Sequence, residues 1–492
     1  MIFNINSKSN STEFPHYWEK CVGSCHAYTA LPADYREQLK RAHDELGFEY
    51  VRFHGIFNDD MCILKKKWNK DPKVIELVYN FVNSDNIFEY LLSIGMKPIV
   101  ELGFMPTAIA SGTQTCFHYK GNVTLPIDYK YWSELIEKFT QHCVDRFGID
   151  EVKTWYFEVW NEPNLDFFFA GTKEDYFELY KHAAFAIKKV DENLRVGGPS
   201  TSVNAWIPDM INYCESNNVP LDFVSTHHYP SDDPLWKNQD MSMDEFWKKL
   251  GHLMGKYERG ILKKMTARAK LEAGKYPLLY TEWNSSAVIG EAQHDENYAA
   301  GLVAKALSDN DGLVDAYAWW TFTDIFEENC QLPGEFHGGF GLQTYHGIKK
   351  PTYHTFEMMH ALGNKRLPVD GYKDGDTVEV IATEKDNGLA LVVFNHNVPE
   401  GEIKAEDVSI KISGIDSVSS VTVCKSDDNH ANAKNVWKEL GAPEYVYGDT
   451  LRTIAEKAEL VEEKADYQLD GDVLTISFEI PAHGVYGIEI KY

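Results

Sequence analysis

The sequence lacks the features of a membrane protein and of a nucleic-acid-binding protein. It has no run of about 18 apolar residues, the length that a membrane-spanning helix needs. Its N-terminal segment has no basic head followed by an apolar stretch, so no secretory signal is expected. Basic residues are outnumbered, with 48 Lys and Arg against 75 Asp and Glu and a net charge of −27. Such a surface repels phosphate backbones and anionic lipids, so we expect neither nucleic acid nor membrane as a partner.

The sequence also lacks a recognisable zinc-binding pattern. Its eight cysteines form no C-x-x-C pair. Cys21 and Cys25 are four residues apart, but no second Cys or His pair matches them. We therefore predict that the cysteines are free thiols in a reducing cytoplasm, and that the protein needs no metal and no cofactor.

Short apolar segments alternate with amphipathic segments from about residue 15 to residue 360. This alternation is typical of parallel β/α architecture. Eight segments have the composition of strands, namely 21–23, 50–55, 97–101, 154–160, 194–197, 223–227, 277–281 and 316–320. A closed (β/α)₈ barrel requires eight strands, so residues 15–360 are predicted to form a TIM barrel.

Two of the intervening helices have marked ends. Asp34 and Glu37 resemble a capping box at the start of one helix, and Gly47 is expected to end it. Asp128 is expected to start another helix, which Gly148 ends.

The pattern changes after residue 360. Segments 377–383, 389–395, 408–412, 421–424, 473–480 and 485–490 alternate apolar and polar residues. This alternation predicts an antiparallel β-sandwich over residues 361–492, interrupted by a helical insert at about 430–464. Residues 2–5 alternate in the same way, so the segment 1–14 could add a strand to the sandwich.

Two of the predicted barrel strands run directly into a glutamate. Glu162 follows the fourth strand within an Asn-Glu-Pro sequence, and Glu282 ends the seventh strand. Either residue alone could be a loop carboxylate that faces solvent. The carboxyl ends of all barrel strands meet at one mouth, however, and strands four and seven lie on roughly opposite sides of it. The pair therefore predicts two carboxylates facing each other across a pocket, as glycosidic cleavage needs.

The two carboxyl groups must differ in protonation to cleave a glycoside. We expect a raised pKa to keep Glu162 protonated as the acid/base, while Glu282 stays ionised as the nucleophile. In a retaining enzyme the two groups would lie about 5–5.5 Å apart.

Further segments give the chain a resemblance to a known family. Together with the two glutamates, the sequence resembles glycoside hydrolase family 39, which includes β-xylosidases and α-L-iduronidases. The resemblance runs end to end and is strongest to the bacterial β-xylosidases. The segments that carry it are VRFHG at 51–55, STHHYP at 225–230, WTFTDIFEE at 320–328 and FHGGFGL at 336–342.

The resemblance implies roles for residues around the two glutamates. Asn161 would hydrogen-bond the sugar 2-OH, and Arg52 would keep the nucleophile ionised, unless Arg52 only forms a salt bridge inside the barrel. His227 is expected to point away from the site. The residues expected to hydrogen-bond the sugar hydroxyls are His54, His228, Glu327 and Glu328.

Three aromatic residues would complete the site. Tyr229 would line it or hydrogen-bond the nucleophile, and Phe117 would form a wall. Trp320 would provide the floor on which the sugar packs, although a tryptophan at the end of a strand could equally belong to the core.

Charge in the loop after strand eight favours a neutral substrate. Asp324, Glu327, Glu328 and Glu335 lie there, with no Lys or Arg before Lys349, so an anionic sugar would be repelled. Together with a neutral substrate, the resemblance to the bacterial β-xylosidases implies an exo-acting xylan 1,4-β-xylosidase that removes terminal β-D-xylose from xylobiose and short xylooligosaccharides. A β-galactosidase or an α-L-arabinopyranosidase remains an alternative, because one pocket residue can decide between these sugars. An α-L-iduronidase is less favoured.

Two other classes of protein make different demands on the sequence. A non-catalytic carbohydrate-binding protein would lack one of the glutamates. A metal-dependent hydrolase would need clustered His and Asp ligands at strand ends. The resemblance further implies a homo-oligomer, since family members commonly form tetramers.

Overall fold

A computed structural model describes residues 1–71, 75–236, 242–328 and 334–492 of the chain. In this part of the chain eight parallel strands close into a barrel, in which β8 pairs with β1. The predicted TIM barrel is thereby confirmed, and each predicted strand overlaps an observed one. The strands are β1 (Cys21–His26), β2 (Tyr50–His54), β3 (Lys97–Leu102), β4 (Tyr156–Val159), β5 (Arg195–Thr201), β6 (Phe223–His228), β7 (Leu278–Trp283) and β8 (Ala316–Trp319).

The barrel interior is apolar at the bottom and polar towards the mouth. Successive inward side chains on a strand are two residues apart, so the inward side chains stack in layers along the barrel axis. Tyr50, Ile99 and Phe223 belong to the lower, apolar layer. Two residues further along their strands stand Arg52 and Glu101, which are fully buried. The strands therefore carry charged groups towards the end where the loops meet.

The helices surround the barrel and continue into the C-terminal region. Gly47 ends α1 as expected, with φ +77° in the left-handed region. The capping box predicted for α1 is wrong, because the helix begins after Pro32, which has no side-chain donor or acceptor. Asp128 caps α3 as predicted, since its side chain accepts a bond from the Lys130 N–H. The helices are α1 (Ala33–Leu46), α2 (Val82–Ser93), α3 (Tyr129–Phe147), α4 (Ile149–Val152), α5 (Lys173–Val190), α6 (Ile207–Asn217), α7 (Met243–Leu253), α8 (Ile261–Ala273), α9 (Asn297–Asp309), α10 (Pro351–His360), α11 (Ala433–Glu439) and α12 (Gly448–Ala458).

Two sheets enclose a separate apolar core and form the predicted sandwich. Almost all of their strand pairs are antiparallel. Ile2–Asn6 is the exception, since it enters the first sheet parallel to Glu406–Ser413. The first sheet has the order Val369–Asp370, Ile2–Asn6, Glu406–Ser413, Val473–Ile480 and Tyr467–Asp470. The second has the order Thr12–Glu13, Lys365–Arg366, Val378–Lys385, Gly388–Asn395, Val485–Lys491, Ser420–Ser426 and Glu463–Lys464.

The helical insert reaches back to the barrel. Ile454 and Ala458 of α12 share an apolar cluster with Phe336 and Ile348, which lie in the loop after β8. The insert thus packs against a loop at the barrel mouth, while the domain boundaries at residues 15, 360 and 361 stay predictions. No helix among the described residues is long and apolar enough to span a membrane.

Short elements complete the described chain. Two small hairpins pair Leu64–Lys66 with Leu77–Tyr79 and Thr115–Cys116 with Gly121–Asn122. The 3₁₀ helices are Ala27–Ala30, Asp59–Met61, Ser202–Asn204, Pro230–Leu235 and Ala292–Asp295.

Candidate active site

Glu162 and Glu282 meet at the mouth of the barrel. Both line a cavity of about 420 Å³. A carboxylate oxygen of Glu162, one of Glu282 and a ring nitrogen of His227 all lie within 4.8 Å of one another. Inverting glycosidases hold their carboxyl groups about 6.5–9.5 Å apart, whereas retaining enzymes hold them about 5–5.5 Å apart. The observed spacing is the shorter one.

The backbone around Glu162 adopts an unusual conformation that its neighbours hold in place. Trp160 and Glu162 have φ values of +72° and +42°, in the left-handed region that non-glycine residues rarely adopt. The Trp160 indole N–H donates to the Phe168 carbonyl at 2.8 Å, and the Glu162 N–H donates to the Ser200 carbonyl at 2.8 Å. These bonds fix the turn that aims the Glu162 side chain into the cavity.

Arg52 lies next to Glu282, fully buried and surrounded by carboxylates. Its Nη1 donates to Glu282 Oε1 at 2.5 Å, its Nε to Glu158 Oε2 at 2.8 Å and its Nη2 to Glu101 Oε2 at 2.9 Å. Burial raises the pKa of Glu282, while the charge of Arg52 and the ring of His54 lower it. Arg52 therefore lies beside Glu282, as predicted. It also forms the salt bridges inside the barrel that were the alternative to this placement, with Glu101 and Glu158, so both occur together.

Glu162 has no comparable cation beside it. Burial raises the pKa of the Glu162 carboxyl well above its usual range, and the negative charges of Glu282 and Asp232 raise it further. Because Arg52 binds Glu282 directly, these contacts favour a proton on Glu162 rather than on Glu282. The assignment of Glu162 as acid and Glu282 as nucleophile stays a prediction.

His227 contacts Glu162, contrary to the sequence-based expectation. Its Nδ1 lies 2.9 Å from Glu162 Oε1, and its Nε2 lies 3.1 Å from Thr281 Oγ1. Thr281 donates its only hydroxyl hydrogen to Glu158 Oε1 at 2.8 Å, so its oxygen accepts from His227 Nε2. Burial holds the pKa of His227 well below its usual value, so the ring is neutral and Nδ1 carries a lone pair. We therefore expect the Glu162 carboxyl O–H to donate to His227 Nδ1.

The expectation that His228 hydrogen-bonds the sugar is wrong, because its side chain points away from the cavity. His228 Nε2 lies 2.6 Å from the Tyr317 hydroxyl, and its ring packs against Tyr280 at 4.0 Å. It does not line the cavity. On β6 the inward side chains begin with Phe223 in the apolar layer and continue at every second residue, which selects His227 and not His228. This alternation, combined with the inward packing of Phe223, identifies His227.

His54 and Glu328 line the cavity next to Glu282, as expected. His54 Nδ1 contacts Glu101 Oε2 at 2.6 Å, which leaves Nε2 facing the cavity at 3.6 Å from both Glu282 and Glu328. Burial lowers the pKa of His54 to about 3, so its ring is neutral. Burial and the charge of Glu282 raise the pKa of Glu328 well above its usual range. Both side chains can exchange hydrogen bonds with sugar hydroxyls, and this role stays a prediction.

Asn161 and Tyr229 also face the cavity. Asn161 Oδ1 accepts from Arg52 Nη2 at 2.9 Å, which leaves its amide N–H groups for a ligand. The Tyr229 hydroxyl donates to Glu282 Oε2 at 3.2 Å, so this tyrosine both lines the site and bonds the predicted nucleophile.

Trp320 and Phe117 form part of the cavity wall. A side chain at Gly23 would come within 2.6 Å of the Trp320 ring, so glycine is needed there for the ring to lie at the base of the site. Glu327 does not line the cavity, and its carboxylate lies 3.9 Å from His26 Nε2. The expectation that Glu327 touches the sugar is therefore not supported by its position.

The loop after β8 is less negative towards the cavity than its sequence indicates. Asp324 is buried, and its carboxylate lies 2.7 Å from Lys350 Nζ, which also binds Asp295 at 2.7 Å. Glu335 pairs with His346. The loop therefore presents Glu328 to the cavity. Asp324 and Glu335 pair with other side chains, and Glu327 lies outside the cavity lining.

Two sets of side chains in the described part of the chain are close enough to share a metal ion: Glu162, His227 and Glu282, and the set His16, Glu19 and His360. In the first set the polar atoms already bond to one another and to Arg52. Those contacts suit acid–base chemistry by the side chains themselves.

Comparisons with known proteins agree with this geometry. The sequence model of the family described as "Glycosyl hydrolases family 39" matches residues 1–474 of this chain. A β-xylosidase of Caldicellulosiruptor saccharolyticus is 44% identical, over 100% of this chain and 98% of that protein. A β-xylosidase of Geobacillus stearothermophilus is 36% identical, over 99% of this chain and 95% of that protein.

A solved structure extends the agreement to three dimensions. A monomeric β-xylosidase of Caulobacter crescentus superposes with a TM-score of 0.85 at 27% identity, over 100% of this chain and 99% of that one. That relative is a monomer, so the tetramer that we expect for this chain stays a prediction. The match to the family spans nearly the whole sequence, and the paired glutamates lie where the resemblance implies, so this chain belongs to glycosyl hydrolase family 39.

Proposed function

We propose that this chain is a retaining exo-β-xylosidase that releases terminal β-D-xylose from the non-reducing ends of xylobiose and short xylooligosaccharides. The observation that carries the proposal is the close approach of Glu162 and Glu282 across one cavity, within 4.8 Å. Two relatives named as β-xylosidases, 44% and 36% identical over essentially the whole chain, support the choice of sugar.

The chemistry proceeds in two displacements. In the first, Glu282 attacks the anomeric carbon while Glu162 passes its proton to the glycosidic oxygen, so the leaving group departs as an alcohol. Glu282 is then covalently bound to xylose, and Glu162 is a carboxylate. In the second, Glu162 removes a proton from water, whose oxygen attacks the same carbon and releases Glu282.

The charges around the cavity favour a neutral sugar. The lining that the structure describes contains the carboxyl groups of Glu162, Glu282 and Glu328 and neither lysine nor arginine. Arg52 lies beneath them and is occupied by three carboxylates. A uronic acid would bring a further negative charge without a cation to receive it, so an iduronide is a poor substrate.

A panel of 4-nitrophenyl glycosides tests the proposed substrate. We expect the β-xyloside to have the largest kcat/KM and the β-galactoside and α-L-arabinopyranoside to follow, while the α-L-iduronide is not cleaved. A larger kcat/KM for either of the other neutral sugars would show that the enzyme is a glycosidase of a different specificity. Activity that is lost with chelator and restored by metal would favour a metal-dependent hydrolase instead.

Substitution of the two glutamates tests the mechanism. Glu282→Ala should abolish turnover of the β-xyloside, and azide should restore part of it by attacking in place of the lost carboxylate. Glu162→Ala should slow poor leaving groups by about 10²–10⁴-fold, the range of general acid catalysis, and activated ones far less. Equal rates in Glu162→Ala and the unaltered enzyme for both kinds of substrate would contradict the assignment.

We further propose that the enzyme acts in the cytoplasm as a homo-oligomer, with the tetramer as the expected form. Seven cysteines in the described residues are free thiols, which suits a reducing compartment. Cell fractionation and light scattering on the purified chain test the two statements separately.

A further inference from the structure

The cavity wall differs in character on the two sides of the glutamates. His54 stands at the end of β2, and Trp320 and Glu328 follow β8, which pairs with β1. This half supplies the side chains that can bond sugar hydroxyls. Ser202 follows β5, and Trp247 lies on α7, after β6. These residues and Glu162, which follows β4, lie on the opposite half of the barrel mouth.

Aromatic rings line the half that contains Glu162. Phe167 and Phe168 follow Glu162 closely in the chain, with their ring centroids 5.1 Å apart, and Phe246 and Trp247 are adjacent on α7 at 5.5 Å. Phe246 is 4% exposed and belongs to the core, whereas Trp247 is 45% exposed. A large ring that stays exposed at a cavity mouth is available to a ligand rather than to the protein interior.

Hydrogen bonds within one short segment hold Phe167 and Phe168 next to Glu162. The Trp160 indole binds the Phe168 carbonyl, and the Leu165 N–H donates to the Glu162 carbonyl at 3.0 Å. Phe117 packs edge-on against Phe167 at 5.4 Å and against Phe168 at 5.3 Å. The same short segment therefore positions both the acid and the rings next to it.

Few polar groups accompany these rings. Asn161 and Tyr229 also follow β4 and β6, but they bond to Arg52 and Glu282 beside the predicted nucleophile. Beyond these two and Glu162, the polar side-chain groups that the described lining offers on this half are the Ser202 hydroxyl and the Trp247 indole N–H. A second xylose would present several hydroxyl groups here, and most of them would find no partner on the protein. A flat apolar ring would lose no hydrogen bonds on entering, because it has none to exchange.

We propose that this half of the cavity is the leaving-group site, where Phe167, Phe168 and Trp247 hold a flat apolar ring such as an aryl aglycone in preference to a second sugar. This inference rests on the proposed function, because Glu162 must stand beside the departing oxygen. The glycone then lies on the half that contains His54, Trp320 and Glu328.

The leaving-group site is also the acceptor site, since the second displacement reverses the geometry of the first. An alcohol bound there can replace water. Its oxygen bonds to the anomeric carbon, the bond from that carbon to Glu282 breaks, and the hydroxyl proton passes to the Glu162 carboxylate. An aryl alcohol should therefore capture the xylosyl-enzyme more efficiently than a small alcohol of similar acidity.

The test measures how the xylosyl-enzyme partitions between water and added alcohol. The full-length enzyme is given 4-nitrophenyl β-xyloside with equal concentrations of benzyl alcohol or methanol, and the alkyl xyloside and xylose are quantified. We expect benzyl alcohol to be about tenfold the better acceptor, the size of effect expected for contact with an aromatic face. Trp247→Ala should remove most of this preference, and Trp247→Phe should retain it.

Trp68→Ala is the matched control, because Trp68 is 79% exposed and lies outside the cavity lining. It should leave the preference unchanged. Equal capture by the two alcohols in the unaltered enzyme, or a full preference in Trp247→Ala, would overturn the leaving-group assignment while the enzyme remains a β-xylosidase. If the unaltered enzyme does not cleave the β-xyloside at all, the proposed function and this inference both fail.

Discussion

Replacing Thr281 by valine tests where the catalytic proton resides. Thr281 touches His227 and Glu158 and is fully buried, so valine keeps its shape and removes only the hydroxyl. Without Thr281 Oγ1, His227 Nε2 is left with the longer contact to Ser200 Oγ, at 3.3 Å, so the hydrogen on Nε2 is held less firmly. The hydrogen can then move to Nδ1, where it donates to the Glu162 carboxylate and stabilises the ionised form. The pKa of Glu162 should fall.

The expected size follows from one hydrogen bond. A buried bond of this kind contributes about 0.5–1.5 kcal/mol, and about 1.4 kcal/mol corresponds to one pKa unit. Activity requires protonated Glu162 and is lost as the pH rises through its pKa. The alkaline limb of kcat/KM should therefore move to lower pH by about half a unit to one unit.

The assay is the pH profile of kcat/KM for a β-xyloside with a poor leaving group, which reports the ionisation of the free enzyme. ¹⁵N shifts of the His227 ring identify the protonated nitrogen independently. A 2,4-dinitrophenyl β-xyloside is the control, because its leaving group needs no proton and its alkaline limb should not move. An unchanged or raised alkaline limb in Thr281→Val, with the ¹⁵N shifts unaltered, would refute the proposed proton position.

Two further predictions concern stability. Lys350→Met leaves the buried Asp295 and Asp324 without their cation, so we expect the free energy of unfolding to fall by about 3–5 kcal/mol and the Tm to fall with it. Lys365→Met is the control, because Lys365 is exposed and its loss should change the Tm little. Equal Tm values for the two variants would contradict this prediction. The hydrogen bond to Glu19 raises the pKa of His360, so the stabilisation is fully present below the ordinary histidine pKa and is lost as the pH rises through the raised value. His360→Ala should therefore lower the Tm more at pH 6 than at pH 9, and a pH-independent difference would exclude this linkage.

The two glutamates could be predicted because their positions depend on local patterns. An apolar run that ends in Glu162 and another that ends in Glu282 mark two strand ends, and barrel closure brings all strand ends to one mouth. No knowledge of the intervening loops is needed. The distance between the two side chains, in contrast, depends on the left-handed backbone at Glu162, which no sequence pattern predicts.

The orientation of neighbouring histidines could not be read with the same certainty. A shift of one residue along β6 exchanges His227 and His228 between the cavity and the outer layer. Alternation restricts the choice to two sets of residues, and only the packing of Phe223 inside the barrel shows which set faces inward.

Long-range polar contacts were beyond the reach of sequence patterns. Thr281 and Glu158 are 123 residues apart in the chain and lie on different strands. Their hydrogen bond underlies the protonation that we expect for His227. Asp324 was expected to repel anionic substrates, yet Lys350 neutralises it inside the protein. Both outcomes depend on which side chains meet after folding, whereas composition only counts them.

The strand Ile2–Asn6 joins the beginning of the sequence to the C-terminal sandwich. Ile2 pairs with Ser409, about four hundred residues later, and the strand is an inner member of its sheet. This segment is made before the whole barrel, and its partners Val369–Asp370 and Glu406–Ser413 are made after it. Deletion of Ile2–Asn6 should therefore disturb a sheet whose other strands come from residues 369–480, while the barrel strands keep their own partners.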